Sequence, residues 1–317
     1  MVLGSWKVVR AAFAVSALVA LAACSPERSG DELFAPGGDN IPVVNAVMVV
    51  GRPFPDVYVS RTLRPDEPFS WQRAGIAGAI VEIEFNGIRE RYADVGDFPG
   101  HYSELFSTIV NANTTYHLTV TLPDGRVLKA TTTTPSPIDV SDWVLLNDGG
   151  TQVVQHLSEF TDSTNAYLDP ENQLTYPNGL LEVRLQNGGA IAYQMGLQSL
   201  DINSELLIDA DFLSDDDLEN FTRVNSSPPL EAPERNLRVP WFAIYYQGRY
   251  IMRVCAMDRN WFDLARTDPV LGNSGIGFGG EAGDNTARPI FHVDGGIGLF
   301  GSMSSDSVGF YVHAPAN

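Results

Sequence analysis

The sequence has little cysteine and little positive charge. Its only two cysteines are Cys24 and Cys255, too few for a disulfide framework or for a zinc site built from cysteines. Its 20 Lys and Arg residues stand against 39 Asp and Glu residues, for a net charge of −19. Nucleic acids and anionic lipid surfaces are both bound through clusters of basic residues. The composition therefore predicts no nucleic-acid partner and no electrostatic membrane binding.

The common catalytic motifs are missing or incomplete. There is no H-E-x-x-H and no G-x-S-x-G, and the five histidines are scattered. His292 and Asp294 would share one strand face, but two ligands do not make a metal site. The G-x-G-x-x-G matches at Gly275 and Gly296 lack the following helix that a dinucleotide site needs. We expect no enzymatic activity, no metal and no cofactor.

The N-terminus has the pattern of a lipoprotein signal. Lys7 and Arg10 precede an apolar run from Ala11 to Ala20, which is too short to span a bilayer. Leu21-Ala22-Ala23-Cys24 then predicts cleavage before Cys24 and lipid attachment to its sulfur. Ser25 follows, which points to the outer membrane, although the membrane face stays open. The alternative is an ordinary secretory signal cut near Ala22 and Ala23, with Cys24 an incidental thiol.

The rest of the chain predicts an all-β, or mainly β, protein. Residues 24–40 are rich in Pro, Gly and charge, which is typical of a flexible tether. Short alternating runs from 41 to 137 predict an immunoglobulin-like β-sandwich, in which Asn86-Gly87 and Pro123-Asp124-Gly125 close two hairpins. Thr134-Pro135-Ser136-Pro137 marks a domain boundary, because proline cannot extend a ladder. We expect residues 138–317 to form a second β-rich domain.

The second domain is predicted to hold three strand pairs and two short helices. One hairpin joins 180–186 to 190–195, another joins 241–246 to 249–257, and a last pair joins 290–293 to 308–313. The helices are 215–221, capped by Ser214, and 259–265, capped by Asp258.

Three features have two interpretations each. Tyr116 is a tyrosine-corner residue or an ordinary core residue. The aspartates between Asp209 and Asp217 bind calcium or form a solvated acidic loop. Cys255 lies in an apolar run, where a buried inert thiol is favoured over a nucleophile.

A glycine-rich segment near the C-terminus resembles the closing signature of domain-of-unknown-function family 4249 (DUF4249). Its sequence is Asp294-Gly295-Gly296-Ile297-Gly298-Leu299-Phe300-Gly301. Gly100-His101-Tyr102 and Tyr116-His117-Leu118-Thr119-Val120 are similar to upstream parts of that family, in the same order. Arg288 to Val293 is more polar than the usual lead into the signature. The resemblance implies an outer-membrane lipoprotein associated with a TonB-dependent receptor, and it implies no catalytic residues.

The glycine-rich segment from Gly272 to Gly301 is the predicted partner-binding loop. Glycines leave the backbone bare, and long loops on a rigid scaffold often carry binding residues. The alternative is an internal crossover whose Ile297, Leu299 and Phe300 are core. The candidate residues are Phe278, Gly295, Gly296, Gly298 and Phe300.

Two functions fit these expectations. The first is a lipid-anchored, non-catalytic binding component that assists a TonB-dependent transporter. The second is a structural or adhesive module of the cell surface, which the same β-sandwich would serve equally well.

Overall fold

A computed structural model describes residues 40–64, 66–158, 166–175, 179–186, 188–207, 223–231, 236–240, 244–267 and 289–315. Cys24, the acidic stretch 209–217 with the predicted helix 215–221, and Phe278 lie outside the described residues. Within the described ranges the fold is mostly β, as predicted. No helix in these ranges is long and apolar enough to cross a bilayer.

The first part, up to residue 133, follows the period-two pattern of its sequence. In Ile80–Phe85, for example, Val81, Ile83 and Phe85 are buried. Asn86 and Gly87 both take positive φ, 49° and 77°, which closes the predicted hairpin. The elements are β1 (Pro42–Val49), β2 (Val57–Arg61), α1 (Trp71–Ala74), β3 (Ile80–Phe85), β4 (Ile88–Arg91), β5 (Ala93–Asp94), β6 (His101–Ser103), β7 (Thr115–Thr121) and β8 (Val127–Thr133).

The second predicted hairpin of this part is also confirmed, since β7 pairs with β8 across the turn 122–126. Tyr116 is a core residue, and its tyrosine-corner interpretation stays a prediction. Its ring is fully buried, and its hydroxyl accepts a hydrogen bond from the Asn111 backbone N at 2.8 Å, five residues upstream. The immunoglobulin-like topology itself stays a prediction.

The second part begins after the strand-free residues 134–139. Its only α-helix among the described residues, α2, starts where predicted, because Asp258 Oδ1 accepts a hydrogen bond from the Trp261 backbone N at 2.9 Å. The elements are β9 (Val140–Leu146), β10 (Val153–Leu157), β11 (Gln173–Thr175), β12 (Leu180–Leu185), β13 (Ala192–Ser199), β14 (Val224–Ser226), β15 (Asn236–Pro240), β16 (Gly248–Met257), α2 (Arg259–Thr267), β17 (Val293–Asp294) and β18 (Ile297–His313).

The strand pairs predicted for this part are wrong. β12 and β13 lie in different sheets, where β12 pairs with β9 and β15 while β13 pairs with β14 and β16. Residues 244–247 form no strand, and β16 pairs with β13 and β18. β17 pairs with β8 instead of β18. Turn signals in the sequence predict where the chain reverses direction. They do not determine which strands then pair with each other.

Three sheets are formed by the described strands. A large sheet runs β14-β13-β16-β18-β1-β2-β6-β5, with β11 also paired to β18. A four-stranded sheet (β10-β9-β12-β15) and a five-stranded sheet (β17-β8-β7-β3-β4) face it. The five-stranded sheet shares one hydrophobic core with β1 and β2, and the four-stranded sheet shares another with β13 and β16.

The 17-residue strand β18 connects the two cores. Its first half runs parallel to β1 and its second half antiparallel to β16, so the first and last strands are neighbours. On one face of β18, Phe300 belongs to the first core, whereas Val308, Phe310 and Val312 belong to the second. The two parts of the chain therefore share one sheet and lie one after the other along β18.

This arrangement gives the molecule two opposite ends. The near end is where Asn40 donates its backbone N–H to the Thr62 carbonyl and β18 begins. The far end is where β18 finishes at His313, opposite Gly248 at the start of β16. At about 3.3 Å per residue, β18 spans roughly 55 Å between them.

Candidate functional site

The glycine-rich residues predicted as a binding loop make internal contacts. Gly298 pairs with Val44 at a φ of 117°, and a Cβ there would stand 2.1 Å from the Val44 carbonyl oxygen. Phe300 is 1% exposed. Added Cβ atoms at Gly295 and Gly296 would likewise meet backbone carbonyl oxygens, at 2.4 and 2.5 Å. These contacts match the internal alternative for these four residues, because their backbone or side chains face other parts of the fold and not a partner.

The histidines do not assemble a catalytic or metal-binding group. Asp56 lies between His101 and Ser103 and accepts a hydrogen bond from each, whereas an activated serine must contact the histidine itself. His292 contacts Asp263, 2.9 Å away, and not Asp294 as the sequence spacing suggests. In the described ranges, no three His, Cys, Asp or Glu side chains are grouped to hold a metal.

Cys255 fits the interpretation of an inert thiol. It lies on β16, is partly buried and forms no disulfide. Burial raises its pKa to about 11, so the thiolate is scarce at neutral pH.

A pocket of about 510 Å³ lies at the far end. It is formed where the loop 200–205 lies against the start of β16 and the end of β18. Most of its side chains are polar. The lining residues are Leu200, Asp201, Ile202, Asn203, Ser204, Glu205, Gln247, Gly248, Arg249 and Tyr311.

Two arginines hold the loop of this pocket. The Arg249 guanidinium donates to Asp201 Oδ1 through Nε at 2.8 Å and Nη2 at 2.6 Å, and its backbone N donates to Oδ2 at 2.7 Å. Arg223 donates to the carbonyl oxygens of Asp201 and Ile202 at 2.7 and 2.8 Å. Its guanidinium also lies 3.9 Å from the Tyr246 ring centroid. The loop is therefore preorganised by contacts across the fold.

Asp201 and Arg249 neutralise one another within the pocket. Hydrogen bonds from Arg249 lower the pKa of Asp201, and burial opposes them only in part. The same contact raises the pKa of Arg249. Both groups are therefore fixed in their charged forms at neutral pH, which suits recognition and does not suit proton transfer.

Exposed apolar side chains flank this polar pocket. Ile202, within the loop, is 76% exposed. Leu168 is 75% exposed and follows Tyr167, whose ring centroid lies 5.7 Å from the Arg249 guanidinium carbon. We take these exposed apolar side chains, together with the preorganised loop beside them, as the candidate contact surface.

Sequence reasoning did not identify this pocket. Asp201 and Arg249 are 48 residues apart, and Arg223 and Asp201 are 22 apart. The Gln247-Gly248 turn is a predicted feature that lies in the pocket lining. A turn signal carries no information about the contact of Arg249 with Asp201, 48 residues away.

Comparison with known proteins identifies the family. No curated protein matches the chain. Residues 36–307 match the family described as "Domain of unknown function (DUF4249)". This match covers most of the 317 residues, and it agrees with the resemblance found in Gly295 to Gly301 and the upstream motifs. The chain therefore belongs to the DUF4249 family.

Proposed function

We propose that the protein is a lipid-anchored, non-catalytic component of the outer membrane that binds a protein partner through its far end, as an accessory to a TonB-dependent transporter. The observation that carries the proposal is the placement of the two ends. The chain enters the fold at Asn40, at the near end, and the pocket between Asp201 and Arg249 lies at the other end of β18.

The anchor is supported by the sequence Leu21-Ala22-Ala23-Cys24 after a short apolar run. Lipid on Cys24 would hold the near end close to the bilayer and direct the far end away from it. A surface that must reach a large membrane receptor or its extracellular loops would then be best placed at the far end.

Binding is favoured over catalysis by the way in which the polar groups are used. Asp201 and Arg249 satisfy one another, and Arg223 is occupied by loop carbonyls. Asp56 bridges His101 and Ser103 without activating the hydroxyl. These groups hold surfaces in place and are not arranged to attack a substrate.

Affinity isolation in mild detergent tests the proposal. The wild type should recover a large β-barrel protein in stoichiometric amount. Ile202→Ser should lose it, because the side chain is exposed within the candidate contact surface. Leu105→Ser is the matched control, since Leu105 is 64% exposed but lies on the first β-sandwich.

Two other results would contradict the proposal. Equal recovery of the β-barrel protein by wild type and Ile202→Ser would show that the far-end surface does not bind it. Recovery of the protein alone, with loss of cell attachment on deletion, would favour the adhesive alternative.

A further inference from the structure

An aromatic cluster surrounds the short helix α1. Tyr58 stacks on His101 with ring centroids 5.0 Å apart, and Phe98 stacks on the same imidazole at 5.0 Å. Trp71 lies 5.2 Å from Phe98 and 5.5 Å from Phe69. These five rings form one continuous surface, which we call the aromatic patch.

The patch is open to solvent although it is tightly held. Phe69 is 66% exposed, and Tyr58, Trp71 and Phe98 are half-buried. The exposed Arg61 guanidinium donates to the Arg73 carbonyl oxygen at 3.1 and 3.3 Å, which fixes α1 against β2. Rigid aromatic side chains that stay exposed are a signal of an interaction surface.

The aromatic patch lies at the near end of the molecule. The helix α1 follows the end of β2, where Thr62 bonds with Asn40 and Ile41. The loop before β6 lies beside the same strand, because the Val59 backbone N donates to the Gly100 carbonyl oxygen. Two further exposed apolar residues lie at this end, Ile80 (41%) and Val127 (40%), each paired with Thr121. The near end thus presents apolar surface on adjacent elements.

The length of chain before the fold limits how far this end can stand from an anchor. Ser25 to Asn40 is 16 residues. If this segment behaves as the flexible tether that its composition predicts, its root-mean-square span is about 20–24 Å, and its length cannot exceed about 58 Å. The far end lies roughly 55 Å further along β18. A chain attached at Cys24 therefore keeps its near end beside the bilayer most of the time.

We propose that the aromatic patch rests in the headgroup region of the membrane that holds the anchor. Tryptophan and tyrosine favour this region because their rings are apolar and their polar atoms stay hydrated. The proposal rests on the anchor at Cys24. It needs no net positive charge, since the segments that carry the patch hold three arginines (Arg61, Arg64 and Arg73) and three acidic residues (Asp66, Glu67 and Asp97). The contact is therefore apolar and should depend little on salt.

Tryptophan quenching by brominated lipids tests this contact. The lipidated full-length protein is placed in phosphatidylethanolamine and phosphatidylglycerol vesicles that carry bromine on the acyl chains. The emission of Trp71→Phe is subtracted from that of the wild type, which leaves the Trp71 component. We expect bromine near the glycerol backbone to remove about half of this component, and bromine near the chain terminus to remove less, because the ring sits at headgroup depth.

Matched variants locate the contact. Phe69→Ser should reduce the quenching of Trp71, whereas Phe106→Ser should not, because Phe106 is 72% exposed but follows β6, at the end of that strand opposite the patch. Thermal midpoints equal to that of the wild type show that both variants fold. Quenching should persist at high salt.

The outcomes separate this proposal from the one on which it rests. A diacylglycerol on Cys24 by mass spectrometry, together with an unquenched Trp71, would overturn the membrane contact and leave the anchor standing. The same result with Trp71 shielded from aqueous iodide would assign the patch to a protein partner or a second copy of the chain. An unmodified Cys24 would overturn the anchor and the membrane contact together.

Discussion

The Thr132 hydroxyl lies 2.6 Å from Asp258 Oδ2, although the two residues are 126 positions apart. Thr132 is on β8 in the first part of the chain, and Asp258 caps α2 in the second. Ser302 of β18 completes the group, with its hydroxyl 2.7 Å from that of Thr132. This buried polar contact joins the two cores at the middle of the shared strand.

Thr132→Val should destabilise the protein by about 1–3 kcal/mol, because it removes the hydroxyl from a buried carboxyl group. Urea denaturation measures the loss. Thr133→Val is the control, since the neighbouring hydroxyl is exposed and lies 2.9 Å from the exposed Thr115 hydroxyl. Equal effects of the two substitutions would show that the contact with Asp258 contributes nothing specific.

The same contact has a pH signature. Burial raises the pKa of Asp258, and hydrogen bonds from Thr132 and the helix backbone only partly oppose it. The stability contributed by the protonated acid is full below its ordinary pKa of 3.8 and is lost as pH rises through the raised value. Relative to Asp258→Asn, the wild type should therefore weaken as pH rises through that window.

Gly298→Ala should destabilise the protein strongly, because its φ of 117° strains any other residue and the new Cβ would overlap the Val44 carbonyl oxygen. The strain alone costs about 1–3 kcal/mol. Gly196→Ala, on β13, is the control, since its nearest contact would be an ordinary 3.7 Å. A thermal midpoint for Gly298→Ala close to that of Gly196→Ala would contradict the internal role and restore the recognition interpretation.

Local signals predicted the local parts of this fold. Asn86-Gly87 and Pro123-Asp124-Gly125 closed the expected hairpins, and Asp258 capped the expected helix. The longer pairings were not predictable in this way. The glycines in the first half of β18 predict a loop. The segment forms a strand only because β1, more than 250 residues earlier, approaches Gly298 closely.

The candidate site depends on the same kind of long-range contact. Asp201 and Arg249 meet because β16 begins beside the loop that follows β13. Neither residue belongs to a motif. Composition and the N-terminal pattern therefore yield a prediction of location, which stays a prediction, and they do not indicate which surface would bind a partner.

Glu182→Gln should cost about 1–2 kcal/mol at neutral pH, a value discounted because solvent screens the partly exposed arginines. The Glu182 side chain is 1% exposed and contacts Arg184 and Arg238 at 2.7 and 2.6 Å. Burial alone would raise its pKa, but these hydrogen bonds lower it below the ordinary 4.5.

The sign of this effect is opposite to that of Asp258. The stability from Glu182 is present above pH 4.5 and is lost as pH falls through the lowered pKa. Unfolding free energies measured from pH 7 downwards should begin to approach each other for wild type and Glu182→Gln once the pH falls below 4.5. A difference that stays constant over this range would show that the ion pairs contribute no pH dependence.

Arg223→Lys should loosen the far-end loop without unfolding the protein. A lysine cannot reproduce the guanidinium contacts to two carbonyl oxygens and the Tyr246 ring. Hydrogen exchange at residues 200–205 should become about tenfold faster. Arg253→Lys, an exposed position on β16, should leave these rates unchanged. Unchanged exchange in Arg223→Lys would show that the loop is held by other contacts.

The mass of the mature N-terminus tests the central claim most directly. The account predicts that the purified membrane form begins at Cys24 and carries a diacylglycerol on its sulfur. Cys24→Ala should lose this modification and be recovered in the soluble fraction. A wild-type chain that begins near Cys24 with a free thiol, or a Cys24→Ala variant retained equally on membranes, would contradict the claim that this protein is a lipoprotein.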